Sequence, residues 1–117
     1  MARSFGEELR DRRRTVGLSQ RDLAERAGLD FSYISKVENG RIPPPAADTV
    51  VELCRILKTE PEHLLALMGK LPSKVGQSVG SSSAAQGFLK QAHEMGLSDD
   101  EWKRMAGSLR RLRGRTR

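Results

Sequence analysis

Cysteine is nearly absent from this chain: Cys54 is the single one, and aromatic residues make up only 4% of its 117 positions. A lone cysteine closes no internal disulfide, which fits a reducing compartment. It also builds no zinc set with His63 and His93, which stand thirty residues apart on separate helical segments. No apolar run approaches the roughly 20 residues that a membrane helix needs. The opening Met1-Ala2-Arg3-Ser4-Phe5-Gly6-Glu7-Glu8 has no apolar stretch leading to a small-residue cleavage site, so no secretory signal is expected. Gly76 and Gly80 make no phosphate loop, because no strand precedes them and no Gly-Lys-Ser/Thr follows. The length admits one domain, or a small domain with an appendage, and is too short for a catalytic barrel or a doubly wound fold. The expectation is a soluble, cytoplasmic protein with no catalytic site, no metal, no cofactor and no membrane contact.

Charge is plentiful and uneven. Lys+Arg 21 against Asp+Glu 15 leaves a net +6. Residues 1–71 balance at +1, whereas residues 72–117 carry +5, with Arg110, Arg111, Arg113, Arg115 and Arg117 crowded at the end. Two readings of this tail stand open: a solvated segment, or an arm that seeks a polyanion and releases its condensed counterions.

Five helical patterns fill the first seventy residues. Ser4 is placed to cap a helix from Phe5, with Phe5, Leu9, Arg13 and Val16 at i, i+4 spacing and Gly17 as its stop. Ser19 caps Gln20 to Ala27, closed by Gly28. Asp30 caps Phe31 to Asn39, with Gly40 where a left-handed C-cap is favoured. Pro43-Pro44-Pro45 forces an extended connection. A fourth helix runs from Ala46 to Leu57 with Val50, Leu53, Cys54 and Leu57 inward, and a fifth opens at Pro61 and carries Leu64, Leu65, Leu67 and Met68. Residues 71–86, with Pro72, Gly76, Gly80 and Ser81-Ser82-Ser83, read as a linker. Two more helices follow. One holds Phe88, Leu89, Ala92 and Met95. The next is capped by Ser98, with Glu101 at capping-box spacing and Asp99 and Asp100 at its dipole-favoured start.

The informative stretch is Gln20 to Arg41. Helix, turn and helix are packed into about twenty residues: Ala24 is small where the helices cross, Gly28 suits the turn, and Leu23, Ile34 and Val37 make the seam. The blocks Leu18-Ser19-Gln20-Arg21-Asp22-Leu23-Ala24-Glu25-Arg26-Ala27-Gly28 and Tyr33-Ile34-Ser35-Lys36-Val37-Glu38-Asn39-Gly40-Arg41 resemble the lambda-repressor/Cro-like helix-turn-helix family, the XRE family of bacterial and phage regulators. The resemblance covers residues 5–68 and implies a five-helix lambda-repressor-like DNA-binding domain over 1–70; with the C-terminal helical hairpin read from the two last helical patterns, the whole chain is expected to be all-α. It implies double-stranded DNA as partner, with the third helix in the major groove. Phe31, Ser32, Ser35 and Lys36 are then the base readers. Gln20, Asn39 and Arg41 match the phosphate clamps, with Arg10, Arg13 and Tyr33 as further backbone contacts. Glu38 is expected to pair with a nearby arginine rather than read bases.

Residues 87–117 are expected to form a helical dimerisation segment with a basic tail. Phe88, Leu89, Met95, Trp102, Met105, Leu109 and Leu112 form an apolar set with two open fates: folding back on the first domain, or packing against a second copy. The second is favoured, and two-fold pairing suits half-sites about 34 Å apart on a pseudo-palindrome. The expected function is a sequence-specific, homodimeric transcriptional regulator acting as a repressor. The alternative is an antitoxin-type protein that binds a partner (toxin, antirepressor or protease) through its C-terminal helices and regulates its own promoter. A third reading, an RNA-binding or nucleoid-type basic protein, predicts no preference between cognate and random duplexes.

Overall fold

Serine side chains start four of the helices in the computed structural model, which describes residues 3–114. Ser4, Ser19 and Ser98 each accept a hydrogen bond from the backbone N–H three residues on, and the carboxylates of Glu7, Asp22 and Glu101 reach back to the serine N–H. These are complete capping boxes, each satisfying two otherwise orphaned donors. Ser82 accepts from Ala85 in the same manner without the return bond. Asp30 departs from expectation: its backbone is extended as an N-cap requires, but its carboxylate accepts from the Ser32 hydroxyl at 3.0 Å instead of from the helix backbone.

The helices are α1 (Phe5–Thr15), α2 (Gln20–Ala27), α3 (Phe31–Glu38), α4 (Ala47–Leu57), α5 (Glu62–Met68), α6 (Ser73–Gly80), α7 (Ser83–Met95) and α8 (Asp99–Arg111), and no strand occurs among the described residues. The all-α expectation holds. None of the described helices is long and apolar enough to cross a membrane. The chain divides into two compact units between Gly76 and Gln77.

In the first unit α1 to α5 share one core, centred on Leu9, Leu23, Ile34, Val50, Leu53, Cys54, Leu57 and Leu64, all essentially inaccessible. Burial pushes the Cys54 thiol up, consistent with an unreactive core side chain. Ala24 is buried where α2 packs on α3. Gly28 and Gly40, at φ +68° and +74°, occupy the left-handed region that stops α2 and α3. After Gly40 the N–H of Arg41 returns to the Lys36 carbonyl at 2.9 Å, locking the segment that carries Asn39 and Arg41.

Residues 71–86 are more structured than a linker: α6 occupies Ser73–Gly80, and α7 begins at Ser83 rather than near 87. Helix α6 buries none of its residues, so composition gave no apolar stripe to find. Its start is held from outside, because the Ser73 N–H donates to the Asp48 carboxylate on α4 at 2.8 Å.

In the second unit α7 and α8 bury Ala92 and leave Phe88, Leu89, Met95, Trp102, Met105, Leu109 and Leu112 exposed. Phe88, Ala92, Met95, Leu97 and Met105 line an apolar groove of about 210 Å³. Of the basic tail, Arg115 and Arg117 lie outside the described residues.

Candidate nucleic-acid interface

Glu38, the last residue of α3, organises the surface of the first unit. Its carboxylate is buried and accepts two bonds from Arg13 of α1, Nε to Oε2 at 2.6 Å and Nη2 to Oε1 at 2.8 Å. Gln20 Nε2, at the first position of α2, donates to the same carboxylate at 2.9 Å. Arg10 stands 3.6 Å from it, and donates through Nη2 to the Glu38 carbonyl at 3.2 Å and to Asn39 Oδ1 at 3.0 Å. Three helices are thus pinned by one acid. Burial by itself would raise the Glu38 pKa, but hydrogen bonds from Arg13 and Gln20 and the positive charges of Arg13 and Arg10 outweigh it and hold the carboxyl below its ordinary value. The bond to Glu38 raises the pKa of the Arg13 guanidinium in turn. The expected pairing of Glu38 with an arginine is present.

Arg13 itself corrects an expectation. The resemblance implies a phosphate-backbone contact for it, yet it is 7% exposed, with Nε and Nη2 on Glu38 and Nη1 on the Leu18 carbonyl at 2.9 Å. Its i, i+4 register with Leu9 puts it on the packed side of α1, where the guanidinium supports the surface from beneath.

Close approach of α1 to α3 makes this network possible. A Cβ on Gly6 would lie 2.4 Å from the Glu38 carbonyl oxygen and 2.6 Å from that of Val37, so only glycine fits. Sequence reading missed Gly6, because nothing local to α1 demands a glycine there.

Above the network lies a recess of about 480 Å³ lined by Arg10, Arg13, Arg14, Ser19, Gln20, Arg21, Phe31 and Asn39. Four arginines and no carboxylate line it, so it favours an anion. The N–H groups of Gln20 and Arg21 open α2 without intrahelical acceptors, adding donors at the positive end of the helix. Beside the recess, α3 exposes Ser32 and Lys36, with Phe31, Tyr33 and Ser35 half-buried. Phe31 and Tyr33 also rest against the core. Arg41 is exposed beyond the α3 stop. The sequence reading assigned no role to Arg21, whose guanidinium carbon lies 4.3 Å from the centroid of the Phe31 ring.

Residues 4–68 match the family model of the helix-turn-helix domain. The chain is 37% identical over 67 residues to the uncharacterized HTH-type transcriptional regulator RghRB of Bacillus subtilis, a stretch covering 57% of this chain and 48% of that protein. It is 37% identical over 73 residues to the uncharacterized HTH-type transcriptional regulator Rv0474 of Mycobacterium tuberculosis, covering 62% and 51%. The chain therefore spans about half the length of the curated relatives it matches. A chain solved in the SinR protein/SinI protein complex shares the fold, with a TM-score of 0.51 and 20% sequence identity, over 91% of this chain and 94% of that one.

Proposed function

This chain belongs to the helix-turn-helix domain family as an XRE-like member, and from that premise we propose that it is a cytoplasmic transcriptional regulator that binds duplex DNA with α3 in the major groove. The observation that carries the reading is the arginine-lined recess, free of carboxylates, set directly beside the exposed polar face of α3. In this reading phosphates sit at the recess, held by Arg10, Asn39 and the amide and N–H groups at Gln20, while Tyr33 and Arg41 meet the DNA backbone outside it. Lys36 donates to guanine O6 and N7, Ser32 and Ser35 bond base edges, and Phe31 meets a thymine methyl.

Two copies pair through Phe88, Leu89, Met95, Trp102, Met105, Leu109 and Leu112, burying an apolar face that the single chain exposes. Such a homodimer reads a pseudo-palindrome and represses by occupying a promoter. A second reading keeps DNA binding and gives α7 and α8 to a different protein, as in an antitoxin. It draws on the same exposed face and on the solved chain of like fold, which is part of a complex of two proteins.

Titration of fluorescent duplexes tests the DNA reading. Lys36→Ala should lose roughly 1–3 kcal/mol on a selected site and relax preference at one base pair, whereas Gln20→Ala should weaken all duplexes more evenly. Equal loss on selected and random DNA for Lys36→Ala overturns the assignment of α3, and no preference for any duplex in the unaltered chain favours a nucleoid-type binder.

A further inference from the structure

Among the described residues Arg21 is the one arginine held over an aromatic ring. Arg3, Arg10, Arg12, Arg13 and Arg55 direct guanidinium N–H groups at carboxylates. Arg21 meets no carboxylate within 4.0 Å among the described residues, and its guanidinium lies over the ring of Phe31 instead. Stacking of this kind engages the π-face of the guanidinium and leaves its in-plane fork of donors free. Arg21 is therefore oriented while its hydrogen-bonding capacity remains unused. Its position is the second residue of α2, and that of Phe31 is the first residue of α3, so the pair bridges the two helices at the mouth of the recess.

We propose that Arg21 and Phe31 form a two-part base reader: the Phe31 ring packs on the 5-methyl group of a thymine, and the Arg21 fork donates to O6 and N7 of a guanine in the adjacent base pair. The inference rests on the DNA-binding reading above. The separation of the two groups, 4.3 Å from guanidinium carbon to ring centroid, is close to the rise of about 3.4 Å between stacked base pairs. Two stacked side chains thus present themselves to two neighbouring steps. Arginine on guanine and an apolar ring on a thymine methyl are the pairings that the major-groove edges allow. Holding the arginine on the ring before DNA arrives reduces the rotamer freedom lost on binding. The ring serves twice, as a platform for the guanidinium and as a methyl contact.

The test begins with selection of binding sites from a randomised duplex library by the full chain. The proposal expects half-sites with a thymine and a guanine in adjacent base pairs. On such a duplex Arg21→Ala should lose roughly 5- to 150-fold in affinity, and the loss should shrink once that guanine pair is changed. Replacing the thymine with deoxyuridine, which removes only the methyl group, should weaken the unaltered chain several-fold and leave Phe31→Leu nearly unaffected. Phe31→Leu preserves apolar packing against the core, and circular dichroism verifies that it folds. Because Phe31→Leu removes the platform, it should also reduce the penalty of Arg21→Ala, so the two changes are less than additive. Equal loss on selected and scrambled duplexes for Arg21→Ala, with a shallower salt slope, would identify a phosphate contact and overturn the proposal. So would selected half-sites without the thymine and guanine neighbours. Failure to enrich any duplex overturns the DNA-binding reading itself, a result distinct from enrichment of sites that Arg21 does not read.

Discussion

Glu38→Gln is the most discriminating perturbation of the network beneath the recess. The substitution preserves shape and removes the negative charge, while Arg13, 7% exposed, keeps its positive charge because a guanidinium does not deprotonate in proteins. Breaking a buried pair by neutralising one partner costs about 3–5 kcal/mol. For a domain of 60–100 residues each kcal/mol lowers Tm by roughly 4–8 °C, so even the lower figure corresponds to roughly 12–24 °C. Thermal and urea unfolding should be followed by far-UV circular dichroism, since Trp102, the only tryptophan, sits in the other compact unit and does not report on Glu38. The companion variant Arg13→Met/Glu38→Leu should recover most of the loss, because a buried pair replaced by apolar residues of like size is often neutral. Less than about 1 kcal/mol lost in Glu38→Gln, or a double variant no better than the single, refutes the view that Glu38 compensates a buried charge.

Other predictions follow from single observations. Gly6→Ala drives a methyl against the Val37 and Glu38 carbonyls and should lose about 1–3 kcal/mol in urea unfolding. Ser19→Ala removes the acceptor of a capping box and should lose about 1 kcal/mol by the same measurement. The Glu38 carboxyl is held below its ordinary value of 4.5, so its stabilisation is complete above that pH and disappears as pH falls through the lowered folded value. Tm should therefore drop on acidification below about pH 4.5, and the drop should be shallower in Glu38→Gln. Leu109→Arg alters a side chain that is 68% exposed, so α8 should persist by circular dichroism; the proposed pairing expects sedimentation equilibrium to show a dimer for the unaltered chain and a monomer for this variant.

What could be read from the sequence was mostly local. Ser4, Ser19 and Ser98 announce their helices because the bonds they make span three residues. Gly28 and Gly40 mark stops because the left-handed region penalises every other residue type more. Arg13 and Glu38 lie 25 positions apart, and their pairing depends on how α1 packs on α3. The spacing that placed Arg13 in line with Leu9 was the available signal, and it pointed inward. Helix α6 was illegible for the opposite reason. It has no buried stripe, and the carboxylate that holds its first residue belongs to α4. Arg21 carries no local signal, because the ring it lies over belongs to Phe31, ten positions on and in another helix.

The depth of Glu38 matters as much as its charge. Four arginines around one recess repel each other unless something neutralises them. An acid on the rim would solve that problem while weakening attraction for a phosphate. Glu38 is 2% exposed and approaches from the protein side, so it discharges Arg13 and orients Gln20 without lining the recess. Arg10 is shared between this interior acid and Asn39 on the surface, and so transmits the position of one to the other. Removing the charge at Glu38 should thus displace Gln20 and Asn39 together. Loss of DNA affinity in Glu38→Gln should then exceed the fraction unfolded under the assay conditions, whereas a purely structural acid would lower affinity only in proportion to unfolding.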